Sequence, residues 1–165
     1  GAILVHRGEA DSMICGTFGE FRRHLNYLEQ ALGGPELHPQ GALSLMILED
    51  GPLFIADTHV HQLPGPEQLA EIAIGAARHV RRFGIDPQVA LCSQSSFGNQ
   101  AEGSGKRLRG ALEILDAEPR NFCYEGEMNV DALVVVSHQR AARTTLVPVR
   151  AVHEMIDDEL ILIPE

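Results

Sequence analysis

The sequence predicts an α/β fold, a largely parallel sheet with helices on both faces. Short apolar runs alternate along the chain with longer segments of helical periodicity, which is the pattern of strand–helix–strand units. The chain has 165 residues of ordinary globular composition, enough for one domain with a buried core. Polar loops follow several of the apolar runs directly, at the carboxyl ends of strands where sheets of this class gather ligands. Three such loops cover residues 8–11, 57–61 and 93–106.

Short apolar runs with β-branched residues are predicted to be strands. They cover residues 2–6, 43–49, 52–56, 88–92, 121–124 and 160–163. The chain has no initiating methionine, and its two ends fall within strand-like runs. We therefore expect it to be a piece of a longer protein.

Three segments have the apolar spacing of helices. The first ends at the Gly33–Gly34 pair, the second begins at Pro66 and ends at Gly84, and the third follows the loop 93–106. Their apolar positions are Phe21, Leu25, Leu28 and Leu32; Leu69, Ile72, Ala73, Ala76, Val80 and Phe83; and Leu108, Ala111, Leu112 and Leu115. The secondary structure of residues 129–143 is left undecided. The segment could be helical, but its three consecutive valines are β-branched and disfavour a helix.

Charge and cysteine content exclude several classes of protein. The formal net charge is −10, which argues against a nucleic-acid partner. No apolar run approaches the roughly 18 residues of a membrane helix, and no signal peptide is visible. Cys15, Cys92 and Cys123 are an odd number without a CxxC pair, so we expect reduced thiols in a cytoplasmic protein. Small core residues are the favoured role for these thiols.

The loop 93–106, which reads SQSSFGNQAEGSGK, is the main candidate for ligand binding. It is not a Walker loop, because Gln100 stands where the first glycine belongs and Arg107 where a magnesium-binding hydroxyl belongs. Hydroxyl and amide groups, one cation and the amides at a helix start can still hold a phosphate. The ligand-binding residues predicted here are Ser95, Ser96, Asn99 and Lys106. The alternative is a flexible polar loop.

Two histidines and two serines suggest other chemistries that the sequence does not favour. His59 and His61 would face one side of a strand and could hold a metal, but no third ligand is evident, so we expect no metal site. Ser95 and Ser96 lack the Gly-x-Ser-x-Gly pattern of a nucleophile elbow. A serine triad is therefore disfavoured.

Two carboxylates at Glu125 and Glu127, with Asp131 beyond them, form an acidic cluster. They could supply acid–base catalysis. A turn followed by a helix start, with the acids near the positive end of the helix dipole, is the favoured interpretation.

Four stretches resemble the signatures of the phosphate acetyl/butyryl transferases, in the same order. They are RGEADSMICGT, FIADTHVHQLPGPEQLAEIAI, VALCSQSSFGN and YEGEMNVDAL. The resemblance implies a phosphotransacetylase-like fold, which is also the fold of isocitrate and isopropylmalate dehydrogenases. It covers residues 1–136 of a single domain, 1–165, which is part of a two-subdomain unit. The family pattern has an asparagine at the position of His61.

One branch of that family is more similar still, the transferase-like domain of large bacterial NADP-dependent malic enzymes. Its marks are Cys-Gly-Thr at 15–17, Arg-His-Leu at 23–25 and Phe-Gly at 97–98. The resemblance implies a domain that senses acetyl-CoA and regulates a malic catalytic domain in the same polypeptide. NADP and a divalent metal then belong to that catalytic domain alone. It also implies a dimer or higher homo-oligomer, with neither nucleic acid nor membrane as a partner.

The chain departs from the active transferases at the positions that carry their chemistry. Phe97 and Asn26 stand where the transferases have cations, and Gly103, beside Glu102, stands where they have an acidic base. The resemblance therefore implies ligand binding without a catalytic residue. Two alternatives remain, an active phosphate acyltransferase with a rearranged site and a scaffold that only dimerises its parent enzyme.

Overall fold

A computed structural model of the chain describes residues 1–32, 41–48, 51–57, 60–94, 103–129 and 160–164. The chain divides into two compact units, residues 1–40 and 41–165. In the part that the structure describes, no helix is both long and apolar enough to cross a membrane. The open segment 129–143 lies outside the described residues from residue 130 onward.

The first unit contains two helices, α1 (Ala2–His6) and α2 (Phe21–Leu32). The helix predicted at Phe21 is confirmed, whereas the strand predicted at residues 2–6 is wrong. The backbone N–H of Val5 donates to the carbonyl of Gly1, and that of Arg7 donates to Ile3, so the segment closes its own hydrogen bonds. A short apolar run has no period long enough to distinguish strand from helix. Residues 8–11 therefore follow a helix rather than a strand.

The first unit buries little apolar surface. None of residues 1–32 is classed as buried. Its exposed large apolar side chains are Ile3, Leu4, Ile14, Phe18, Phe21 and Tyr27. Exposed apolar surface of this kind can be covered by another protein.

The second unit is built on a five-stranded sheet in the order β1-β2-β5-β3-β4. The strands are β1 (Leu43–Leu48), β2 (Gly51–Ala56), β3 (Pro87–Cys92), β4 (Cys123–Met128) and β5 (Leu160–Pro164). All five correspond to predicted strands, although β4 begins two residues later than the predicted run 121–124 and extends further.

Strand pairing in this sheet is mixed, which corrects the expectation of a largely parallel sheet. β3 and β4 pair in parallel, while β1–β2, β2–β5 and β5–β3 pair antiparallel. The short connection between β1 and β2 permits only an antiparallel hairpin. The other two antiparallel pairs are those that β5 makes with its neighbours, β2 and β3. Strands β2, β3 and β4 nevertheless share one direction, as the α/β class requires.

Two helices, α3 (Pro66–Arg81) and α4 (Ser104–Asp116), cover one face of the sheet. Both were predicted from their periodicity. Alternate strand residues such as Phe54 and Leu91 pack with them in one cluster. The helix residues in that cluster are Leu69, Ala70, Ile72, Ala73, Ala76, Ala77, Val80, Leu108, Ala111 and Leu115. Residues of the opposite sheet face, including Ile55 and Cys92, are buried as well, which explains why β2 and β3 are continuously apolar.

The two helices approach closely at Gly110. A Cβ atom added there would lie 3.0 Å from the ring of Pro66, the first residue of α3. The start of α3 therefore sits beside the second turn of α4, and both helices begin at the edge where β2, β3 and β4 end.

Candidate functional site

The carboxyl ends of three strands meet along one edge of the sheet. Ala56 of β2 and Leu91 of β3 both pair with Leu160 of β5, so β2 and β3 end level with each other. Two strand spacings, about 10 Å, separate them. β4 ends beside β3 at the same edge. Loops that follow these strands are the positions at which α/β sheets bind ligands.

A buried carboxylate, Glu127, ties the ends of β3 and β4 to α4. Its side chain has no exposed surface, and one oxygen accepts from the Ser93 hydroxyl at 2.6 Å. The other oxygen accepts from Arg109 Nη1 at 2.7 Å, and the Arg109 side chain is one-third exposed. A second link, from the Ser93 N–H to the Met128 carbonyl at 2.8 Å, joins the strand ends directly.

Two glycines make room for this cluster. A Cβ atom at Gly105 would lie 2.9 Å from Glu127 Oε1, so α4 can approach the carboxylate only because position 105 has no side chain. At Gly126, φ is +155° and a Cβ would lie 2.7 Å from the Leu91 carbonyl. Asp131 and the helix start predicted after the Glu-Gly-Glu motif lie outside the described residues. The motif itself lies in β4, so the turn predicted there is wrong. Strand pairing, which the local sequence does not show, decides its conformation.

A second buried carboxylate, Asp57, organises the end of β2. Its side chain is 3% exposed. Oδ1 accepts from the N–H groups of Ala42 at 2.7 Å and Val60 at 3.2 Å. Oδ2 accepts from the His61 N–H at 2.9 Å and from His61 Nδ1 at 2.6 Å. The carboxylate thus closes the turn that leads from β2 towards α3 and fixes the plane of the imidazole.

The predicted ligand-binding residues fall mostly outside the described part of the chain. Ser95, Ser96 and Asn99 lie there, as does Phe97. Lys106 is described: it is exposed in the first turn of α4, at the same edge as Glu127. The position of Lys106 fits its predicted role, and the set of four stays a prediction.

The structure describes two of the positions that the resemblance sets against the active transferases. Asn26 is exposed on α2, in the first unit. Gly103 precedes α4 with φ of +83°, a conformation that favours glycine over residues with a side chain. A carboxylate at position 103 would therefore strain the backbone that starts α4.

Of the three cysteines, Cys92 ends β3 at the candidate edge. It is fully buried, and this burial raises the pKa of its thiol to about 12. Cys15 and Cys123 are exposed. The favoured role as a small core residue therefore fits Cys92, whereas the other two are wrongly predicted as core, because exposure depends on tertiary packing.

Metal ligands are not assembled in the described part of the chain. There, no group of three or more His, Cys, Asp and Glu side chains is arranged to hold an ion. His59 lies outside the described residues, and His61 directs Nδ1 to Asp57.

Sequence reasoning alone did not find the two carboxylate clusters. Ser93 and Glu127 are 34 residues apart, and Asp57 and Ala42 are 15 apart. The available signal was positional, since Asp57 and Ser93 each follow a predicted strand directly. Arg109 carried no signal, because an arginine in a helix is usually solvent-exposed.

Comparison with known proteins decides the family of this chain. The family model described as phosphate acetyl/butaryl transferase matches residues 1–151. The chain belongs to this family. Among curated members, it is 46% identical over 138 residues to the NADP-dependent malic enzyme of Salmonella typhimurium LT2, covering 83% of this chain and 18% of that protein. It is 45% identical over 136 residues to the NADP-dependent malic enzyme of Escherichia coli K12, covering 82% of this chain and 18% of that one.

Phosphate acetyltransferases are related to the chain at lower identity. That of Synechocystis sp. PCC 6803 is 35% identical over 136 residues, covering 81% of this chain and 19% of that protein. The chain thus spans about a fifth of the length of the curated relatives it matches. A phosphotransacetylase from Streptococcus pyogenes has the same fold, with a TM-score of 0.71 at 26% identity, over 86% of this chain and 44% of that one. The phosphotransacetylase-like α/β fold predicted from the motifs is therefore confirmed.

Proposed function

We propose that this phosphate acetyl/butaryl transferase family member is a regulatory, acyl-CoA-binding domain of an NADP-dependent malic enzyme and has no transferase activity of its own. Acetyl-CoA is the proposed ligand. The parent enzyme oxidatively decarboxylates malate to pyruvate with NADP and a divalent metal in a separate catalytic domain of the same polypeptide.

The observation that carries this proposal is that the buried carboxylates at this edge, Asp57 and Glu127, already accept hydrogen bonds from the protein. Transfer of an acyl group to coenzyme A needs a base for the thiol. Asp57 already accepts four hydrogen bonds, and Glu127 is held by Ser93 and Arg109. Neither carboxylate can turn towards a thiol without breaking these contacts. These two carboxylates therefore have a structural role, whereas a transferase requires a carboxylate that is free to act as a base.

Two comparisons support the same assignment. Identity to the two malic enzymes is about ten percentage points higher than to the cyanobacterial transferase. In addition, the resemblance places Asn26 and Phe97 where the active transferases have cations. Loss of one charge-stabilising contact in a transition state costs about 2.7–4 kcal/mol, or roughly a hundred- to thousand-fold in rate.

We propose that the domain still binds its ligand without these two cations. Lys106 and the amide groups of the first turn of α4 attract phosphate oxygens, and Ser95, Ser96 and Asn99 add hydrogen-bond donors. Coupling to a malic site requires only about 1–3 kcal/mol to give useful inhibition.

Two measurements on the full-length protein test the proposal. The first follows release of coenzyme A from acetyl-CoA and phosphate, and we expect a rate close to background; robust turnover supports the alternative, an active phosphate acyltransferase. The second follows malate oxidation with rising acetyl-CoA, where we expect inhibition that weakens in Lys106→Ala. Glu113→Ala, at an exposed position further along α4, is the matched control. A rate that acetyl-CoA leaves unchanged overturns the regulatory role.

We further propose a homo-oligomeric, cytoplasmic parent protein. The exposed apolar side chains of residues 1–32 support an assembled state, because another protein surface can cover them. Light scattering should give at least twice the monomer mass at micromolar concentration. A monomer under those conditions contradicts the proposal, and it also removes the scaffold alternative.

A further inference from the structure

Asp57 and His61 form a dyad in which the proposed function gives the imidazole no role in ligand binding. The dyad lies at the carboxyl edge of the sheet, where β2 ends and the chain turns towards α3. The side chain of His61 is 16% exposed and that of Asp57 is 3% exposed, so the imidazole lies between the buried carboxylate and the surface.

The hydrogen bond between these residues fixes the proton on the imidazole. Asp57 Oδ2 can only accept, so His61 Nδ1 is the protonated nitrogen in the 2.6 Å contact. The neutral ring then carries a lone pair on Nε2. Within the described residues, no partner contacts Nε2. A histidine with one nitrogen held by a buried carboxylate presents the other in a defined direction, the arrangement by which proteins orient metal-binding and base-catalytic histidines.

The dyad lies at the edge of the sheet where β2 and β3 end. β2 and β3 end on either side of β5, so the chain leaves the sheet at the same edge after Ala56 and after Cys92. Pro66, five residues beyond His61, lies against Gly110 of α4. The segment carrying His61 and the first turns of α4 therefore border the same end of the sheet.

We propose that His61 contacts the acyl-CoA ligand through Nε2, accepting a hydrogen bond from an N–H, O–H or S–H group of that ligand, and that Asp57 is its positioning residue. This inference rests on the proposed function, because it requires acyl-CoA to bind at this edge. It assigns a recognition role to a side chain outside the Ser-rich loop.

Two substitutions separate recognition from a purely structural role. His61→Asn places an amide nitrogen where Nδ1 lies, so it keeps the bond to Asp57 and loses Nε2. His61→Gln extends an amide to the region of Nε2. Titration calorimetry on the full-length protein, with coenzyme A and acetyl-CoA as separate ligands, measures the affinity of each variant.

We expect His61→Asn to weaken binding about two- to tenfold, the range for one lost hydrogen bond, and His61→Gln to recover part of that loss. Thermal unfolding of the Asn variant should match the wild type, because the Asp57 contact remains. A loss confined to coenzyme A assigns Nε2 to the thiol, and an equal loss for both ligands assigns it to a donor that they share. Unchanged affinity in His61→Asn overturns the inference, while absence of binding to the wild type overturns the proposed function instead.

Discussion

Two buried carboxylates stand at the same edge of the sheet and are neutralised in different ways. Asp57 receives three backbone N–H groups and one imidazole, all but one of them within four residues of it in sequence. Glu127 receives two side-chain donors, Ser93 at the end of β3 and Arg109 in α4. Asp57 therefore shapes one turn, whereas Glu127 joins three separate segments.

This difference predicts different responses to mutation. Loss of Asp57 removes the acceptor of three backbone N–H groups. Loss of a Glu127 partner leaves a charge that other groups and water can still reach through the partly exposed Arg109 site. The following substitutions test the contrast in order of decreasing expected effect.

Asp57→Ala should destabilise β2 by about 3–5 kcal/mol, because each buried donor left without a partner costs about 1–3 kcal/mol and relaxation recovers part of the sum. Hydrogen–deuterium exchange of the β2 amides in the full-length protein measures this local stability. Asp86→Ala is the control: its side chain is 82% exposed and lies 4.0 Å from Arg81, so a change within about 0.5 kcal/mol is expected. Similar protection of β2 in both variants contradicts the role given to Asp57.

Arg109→Ala should cost about 2–3 kcal/mol, below the 3–5 kcal/mol typical of a fully buried pair because Arg109 is one-third exposed. The double variant with Glu127→Gln removes the uncompensated charge and should recover at least 1 kcal/mol of the loss. Exchange rates of the amides in β3 and β4 report the effect. Strict additivity of the two substitutions means that the residues do not interact.

Gly105→Ala should destabilise the junction of α4 and β4 by about 1–2 kcal/mol. The new methyl group overpacks against Glu127 by more than the gain in helix propensity offsets. Gly75→Ala in α3 is the matched control, since a Cβ there meets no atom within 4 Å. The Gly75→Ala variant should gain about 1 kcal/mol in local stability. An equal gain in stability in both variants would mean that α4 does not approach Glu127 closely.

Thiol labelling gives the smallest effect and tests burial of the edge without any mutation. Cys92, with its pKa raised to about 12, should resist iodoacetamide at pH 8, whereas Cys15 and Cys123 should react; peptide mass spectrometry identifies the labelled sites. Because the folded pKa lies above the unfolded one, the contribution of Cys92 to stability is complete below its ordinary pKa and is lost as pH rises towards 12. Rapid labelling of Cys92 at pH 8 contradicts its burial.

Prediction from sequence succeeded where the signal was periodic and failed where the outcome depended on distant pairing. The spacing of Leu69 and Val80, or of Leu108 and Leu115, is enough to place α3 and α4. The orientation of β5 depends on hydrogen bonds to strands far away in sequence, and a short apolar run at Ile3 fits helix and strand equally well. The sequence did not predict the partners of Glu127 for the same reason, because Ser93 and Arg109 are distant from it along the chain.

The position of β5 in the sheet affects the order in which the strands can pair while the chain is being synthesised. Within the described residues, β5 joins the β1–β2 hairpin to the β3–β4 pair, since the sheet order is β1-β2-β5-β3-β4. β4 ends at Met128, whereas β5 begins only at Leu160. A growing chain therefore makes the two halves of the sheet well before the strand that joins them. Until β5 is added, each half has an open edge of the kind that chaperones protect and that aggregating chains exploit.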